Sequence, residues 1–93
     1  MKYTIKFTSQ FKKDVKRLKK QSKNINLLFD VIEQLANGII LDKKYNAHKL
    51  SGNLDGIMEC HIENDFLLEY QYYDEQLILM CVRASSHNEL FRL

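Results

Sequence analysis

Apolar and polar residues alternate strictly from residue 2 to residue 8. Tyr3, Ile5 and Phe7 fall on one side, and Lys2, Thr4 and Lys6 on the other. A period of two predicts a half-buried strand. The period then lengthens. Phe11, Val15 and Leu18 follow at helical spacing behind Ser9, a residue suited to capping a helix. Lysines and Arg17 fill the other faces, so this helix has only a thin apolar stripe. A polar break over residues 19–24 separates it from a second periodic segment. There Leu28, Val31, Ile32 and Leu35 make a full i, i+3, i+4, i+7 face, which predicts a helix over 25–37 stopped by Gly38. The pair reads as a helical hairpin.

Residues 39–56 show no period. They hold His48 and the turn-forming groups Ser51, Gly52, Asn53, Asp55 and Gly56, and are expected to be irregular. So long a loop in a small domain is more often functional than idle. Three strand-like runs follow, at 57–62, 66–72 and 77–83, separated by turns too short for anything but antiparallel neighbours. The expected fold is α+β in the order β-α-α-β-β-β, with a short C-terminal segment. It has a mainly antiparallel sheet, both helices on one face and the other face open. Residues 1–93 are expected to form one domain.

Charge sharpens this picture. Residues 1–23 carry nine Lys or Arg and one acid, Asp14, for a net +8, while residues 24–93 carry a net −6. A basic half beside an acidic half points to a polyanion partner for one face; the plain alternative is a solvated lysine-rich helix. Lys12, Lys16, Lys19 and Lys23 fall at i, i+4, i+7 and i+11, with Lys13, Arg17 and Lys20 beside them. No aromatic residue interleaves with them along the helix. The expected task of these seven cations is docking on RNA phosphates rather than reading bases. Cys60 and Cys81 lie in apolar runs with no CxxC pattern, as buried free thiols in a reducing cytoplasm would. No leader segment and no membrane-spanning run is evident.

The candidate chemistry concentrates near the end of the chain. Arg83, His87 and Phe91 are spaced four apart. They supply a cation, a group that titrates near neutral pH and a flat ring. In the run 57–62, Met58, Cys60 and Ile62 form the core set, which turns His61 to the open face with Glu59. Asp65 follows the next turn. Taken singly, each has an ordinary reading: surface histidines, a turn-forming Asp, an Arg paired with Glu59 or Glu69. Together with His48 they match what RNA cleavage through its own 2′-hydroxyl requires. That reaction needs a base, an acid for the leaving 5′-oxygen, and positive charge for the phosphorane. Histidine serves as either acid or base, and arginine offers a fork that fits phosphoryl oxygens. An aromatic ring can hold a splayed base by stacking. The spacing 48, 61, 65, 87 matches no known metal-site pattern, so neither a metal nor another cofactor is expected.

The segments 48–52, 56–68 and 83–91 resemble the RelE superfamily of bacterial toxins, most closely its YafQ-type branch. The likeness runs through nearly all of the chain in element order. It implies a ribosome-dependent mRNA endonuclease held inactive by a co-expressed antitoxin. The toxin would be monomeric within a toxin–antitoxin hetero-oligomer and would act in the cytoplasm. It also implies that His48, His61, Asp65, Arg83, His87 and Phe91 form the functional set. The family often has Trp where this chain has Phe66, which adds Phe66 to Phe91 as a substrate-binding candidate. It commonly has cations where this chain has Met58 and Asp55. Two alternatives remain at this point: a related ParE-type toxin that inhibits gyrase without nuclease chemistry, and a catalytically dead module that binds RNA or the antitoxin.

Overall fold

In the computed structural model, residues 1–52 and 56–86 are described. The chain runs β1 (Thr4–Phe7), α1 (Ser9–Lys20), α2 (Ile25–Ala36), a single 3-10 turn (Lys43–Tyr45), β2 (His48–Lys49), β3 (Ile57–Glu63), β4 (Phe66–Tyr73) and β5 (Ile78–Ser86). These strands form one sheet in the order β1-β5-β4-β3-β2. Only β1 runs parallel to its neighbour; the other pairings are antiparallel. The order therefore agrees with the sequence reading, except for one added strand. A two-residue strand shows no alternation, so β2 cannot be read from sequence. It takes His48 out of an irregular loop and fixes it opposite Glu59.

Helix α1 is capped one residue earlier than expected. Thr8, not Ser9, is the N-cap, and its hydroxyl oxygen accepts from the Phe11 N–H at 2.9 Å. The Thr8 hydroxyl also donates to the carbonyl of Val82 at 2.6 Å, so the cap doubles as a tie to β5. At the end of α2, Gly38 takes a φ of 75°, the left-handed conformation that stops a helix at low cost.

Both helices cover one face. Phe11 and Leu18 from α1 and Leu28, Val31, Ile32 and Leu35 from α2 join Cys60, Ile62, Phe66, Leu68, Tyr70, Leu79 and Cys81 of the sheet in one core. Burial there pushes each thiol up to about 12, so both stay protonated. Phe66 has no exposed surface at all. Its proposed contact with substrate is thereby corrected. Phe66 lies on the helix side of β4, in register with Ser86, and its ring is a core residue.

A bulge in β5 decides what the outer face carries. Leu79 and Cys81 are fully buried in the core, and simple alternation would send Arg83 after them. Tyr70 pairs with Cys81 but Glu69 pairs with Arg83, so Val82 is an extra residue. That insertion reverses the alternation: Ala84 enters the core and Arg83 moves to the outer face. Contrary to the expectation of an open face, the outer face is closed in part: Leu67 and Ser85 are 2% exposed on it.

Candidate active site

The register builds one lateral row across the outer face. His48 of β2 lies opposite Glu59 of β3, Glu59 opposite Glu69 of β4, and Glu69 opposite Arg83 of β5. The next row places His61 opposite Leu67 and Leu67 opposite Ser85. His48 and His61 lie with ring centres 6.2 Å apart. Three of the expected residues, His48, His61 and Arg83, therefore share one face, with a carboxylate pair between the histidines and the arginine.

His48 has an acceptor oxygen beside each ring nitrogen. Its Nδ1 is 2.6 Å from the carbonyl of Asn46, a pure acceptor, so this nitrogen carries the proton. Nε2 lies 3.3 Å from Glu59 Oε1. A proton accepted at Nε2 thus arrives beside a carboxylate. Glu59 was expected on the open face beside His61, but its pairing with His48 depends on β2 and could not be read from the sequence. Beside His61, a cleft of about 370 Å³ is lined by Lys44, Tyr45, Asn46, His61 and Asn64, among others. Its size is within the range of small-ligand sites.

Glu69 is pushed above the usual carboxylate range by burial and then by the like charge of Glu59 opposite, with Arg83 pulling the other way. A raised carboxyl stabilises the fold below its unfolded pKa, and that contribution is lost as pH rises through the folded value. At neutral pH the ionised pair therefore costs stability. Glu69→Gln is expected to melt higher than the parent at pH 7. The gain should be of the order of 0.2–1 kcal/mol, the usual scale for like charges on facing strands, and should shrink as pH falls into the carboxylate range. Thermal melts across pH check this; a lower melting temperature at pH 7 would contradict it.

At the far end of the row stands Asp14 of α1, 0% exposed. Its Oδ1 accepts from Gln10 Nε2 at 3.0 Å, Arg17 Nη1 at 2.9 Å and Arg83 Nη2 at 3.2 Å. Its Oδ2 accepts from Arg83 Nε at 3.3 Å and from the backbone N–H of Ala84 at 3.1 Å. Burial alone would raise this carboxyl, but the hydrogen bonds from Arg83, Gln10, Arg17 and Ala84 outweigh it and hold Asp14 below its ordinary value. It is charged at neutral pH. The expected partners of Arg83, Glu59 or Glu69, are thus replaced in hydrogen bonding by an acid 69 positions away.

The other expected residues separate. Asp65 accepts from Lys23 Nζ at 2.9 Å, an ion pair between the β3–β4 turn and the segment after α1. Lys23 lies beyond the end of α1 at Lys20, so it does not continue the lysine stripe. Arg17 is likewise engaged, with Asp14 and with the Ala84 carbonyl at 3.4 Å. Lys12, Lys13, Lys16, Lys19 and Lys20 are exposed. Aromatic rings do interleave with them, contrary to expectation. Phe7 of β1 and Phe29 of α2 are 37% and 38% exposed and line a groove with Phe11, Lys12, Val15 and Lys16. These rings come from other elements, so the sequence of α1 alone did not show them. His87 and Phe91, and Asp55 with them, lie outside the described residues.

Among the described residues, no three of His, Cys, Asp and Glu are grouped to hold a metal ion. Nor is any helix among them long and apolar enough to cross a membrane.

A family model described as a bacterial toxin of type II toxin–antitoxin systems, YafQ, matches residues 3–92. The chain belongs to this family. It is 33% identical over 88 residues to the mRNA interferase toxin YafQ of Escherichia coli K12, covering 94% of each. Its fold superposes on the E. coli DinJ-YafQ toxin–antitoxin complex with a TM-score of 0.87, at 32% identity and covering 98% of this chain and 99% of the other. A metal-bound toxin from Helicobacter pylori gives a TM-score of 0.89 at 40% identity, covering 96% and 99%. The resemblance drawn from the three motif segments thus extends to the family and to the fold.

Proposed function

We propose that this toxin is a ribosome-dependent endoribonuclease that cuts mRNA through the 2′-hydroxyl, with no metal in the chemical step. The observation that carries the reading is the shared outer face. Two histidines at 6.2 Å and an arginine lie on one face, carried by three different strands of the sheet. A gyrase-binding module has no use for such a group of titratable side chains, whereas acid–base phosphoryl chemistry does.

In this reading His48 or His61 takes the proton from O2′. O2′ attacks phosphorus, and the P–O5′ bond breaks as His87 gives a proton to O5′. Arg83 faces the charge that develops on the phosphoryl oxygens. Phe91 stacks on a base. Asp65 tunes a histidine in addition to its pairing with Lys23. The sites of His87 and Phe91 follow from the motif at 83–91. The antitoxin is the expected protein partner, as in the E. coli complex; the toxin is a monomer held inactive within that assembly and acts in the cytoplasm when free of it.

The exposed lysines of α1 supply docking. Changing Lys12, Lys16 and Lys19 to Gln is expected to weaken ribosome binding and flatten its salt dependence by up to about 0.9 of a log–log slope unit per lost phosphate contact. The residual cuts should stay at the same codons. Binding across a salt series, with mRNA ends mapped on translating ribosomes, tests both statements. Absence of ribosome-dependent cuts by the parent protein would refute the nuclease reading. Unchanged affinity of the triple variant at every salt would reduce the stripe to a solvated face.

A further inference from the structure

We propose that Asp14 is a positioning residue of this reaction, acting through Arg83. The inference rests on the reading of Arg83 as the group that meets the phosphoryl oxygens. Its structural basis is the end of a strand. The ladder between β1 and β5 stops where the Thr8 N–H donates to the Cys81 carbonyl at 3.1 Å. Past that point no strand among the described residues lies beside the edge of β5, and α1 lies there instead. Asp14 takes the Ala84 N–H that β1 leaves unpaired, and so locks the carboxylate to the backbone next to Arg83. The same carboxylate then receives two N–H groups of the Arg83 fork, Nε and one Nη.

An arginine side chain carries four rotatable bonds and wanders when exposed. Arg83 is 40% exposed, yet this two-point grip fixes the plane of its guanidinium. Five N–H donors serve the group, and Asp14 engages the edge made by Nε and Nη2. The Nη1 edge is thereby set in one direction. A fork that is already oriented loses little entropy when phosphate arrives, and misplacement by about 1 Å can cost about 10²-fold in rate. Arg17 and Gln10 in turn hold Oδ1, so the carboxylate cannot swing with the arginine. Arg17 supplies a second positive charge at the same carboxylate, so Asp14 is not balanced by Arg83 alone.

A double-mutant cycle separates this role from plain structural support. Cleavage on programmed ribosomes would be measured, as kcat and KM, for the parent, Asp14→Asn, Arg83→Ala and the double variant. Asp14→Glu is the second probe, because it keeps the charge while shifting the carboxylate by one methylene, and it is the variant to use if Asn prevents folding. The expected result is a fall in kcat of about 10–100-fold for either Asp14 variant with KM nearly unchanged. On the Arg83→Ala background the same changes should lower kcat no further. Equal losses with and without Arg83 would overturn the proposal, as would full kcat in a folded Asp14 variant. If Arg83→Ala itself cleaves normally, the fault lies in the role given to Arg83, and the proposal falls with it.

Discussion

His87→Ala is expected to lower mRNA cleavage by about 10²–10⁴-fold, the usual worth of a general acid, while the protein melts as the parent does. The leaving 5′-oxygen would depart as an alkoxide near neutral pH without a proton donor, and that makes bond breaking the step most exposed to the loss. His48 and His61 share the outer face with a carboxylate at His48 Nε2, an arrangement suited to receiving a proton. In the proposed reading the donor comes from elsewhere, and His87, in the motif that follows Arg83, takes that role. Single-turnover cleavage on programmed ribosomes measures the effect. Cleavage by His87→Ala within a few-fold of the parent would remove His87 from the acid role and give it to one of the two strand histidines.

Phe66→Ala is expected to destabilise the fold by about 3–5 kcal/mol, because a fully buried ring is replaced by a cavity. Native domains hold only about 5–15 kcal/mol in total, so this loss is a large share of the fold's stability. Lost activity in that variant would say nothing about substrate contact. Phe66→Leu separates the two roles. It keeps most of the apolar volume and should cost less than about 1.5 kcal/mol if the core repacks. A ring stacked on a base contributes roughly 1–3 kcal/mol to binding, and its loss would raise KM by about 5- to 150-fold. For Phe66→Leu the expected KM is that of the parent, within a few-fold. A raised KM in the folded variant would return Phe66 to the substrate.

These two residues show what the sequence carries and what it does not. The helices were legible because their apolar periods are long: Leu28, Val31, Ile32 and Leu35 admit no other arrangement, and all four are in the core. The outward turn of His61 was legible because strict alternation holds through Cys60 and Ile62. Alternation fails at Val82, where a single extra residue reverses the faces of β5, and nothing in the apolar pattern marks a bulge. Strand β2 is two residues long and has no period at all. Asp14 was the most hidden. A lone acid in a lysine-rich helix reads as a surface residue, and only the approach of α1 to the bare edge of β5 shows why it is buried. The interleaving of Phe7 and Phe29 with the lysines was lost for the same reason, since it joins three elements. Phe66 was expected at the substrate from its place in the family motif, but it alternates with Leu68 and Tyr70, and all three are in the core.

The chemical identity of the new RNA ends tests the central claim most directly. Translating ribosomes would be incubated with the toxin, and the fragments analysed for their terminal groups. Attack by the 2′-hydroxyl predicts a 2′,3′-cyclic phosphate on the upstream fragment and a 5′-hydroxyl on the downstream one. A 5′-phosphate on the downstream fragment would contradict the account, because it requires an external nucleophile that the proposed histidines and arginine do not supply.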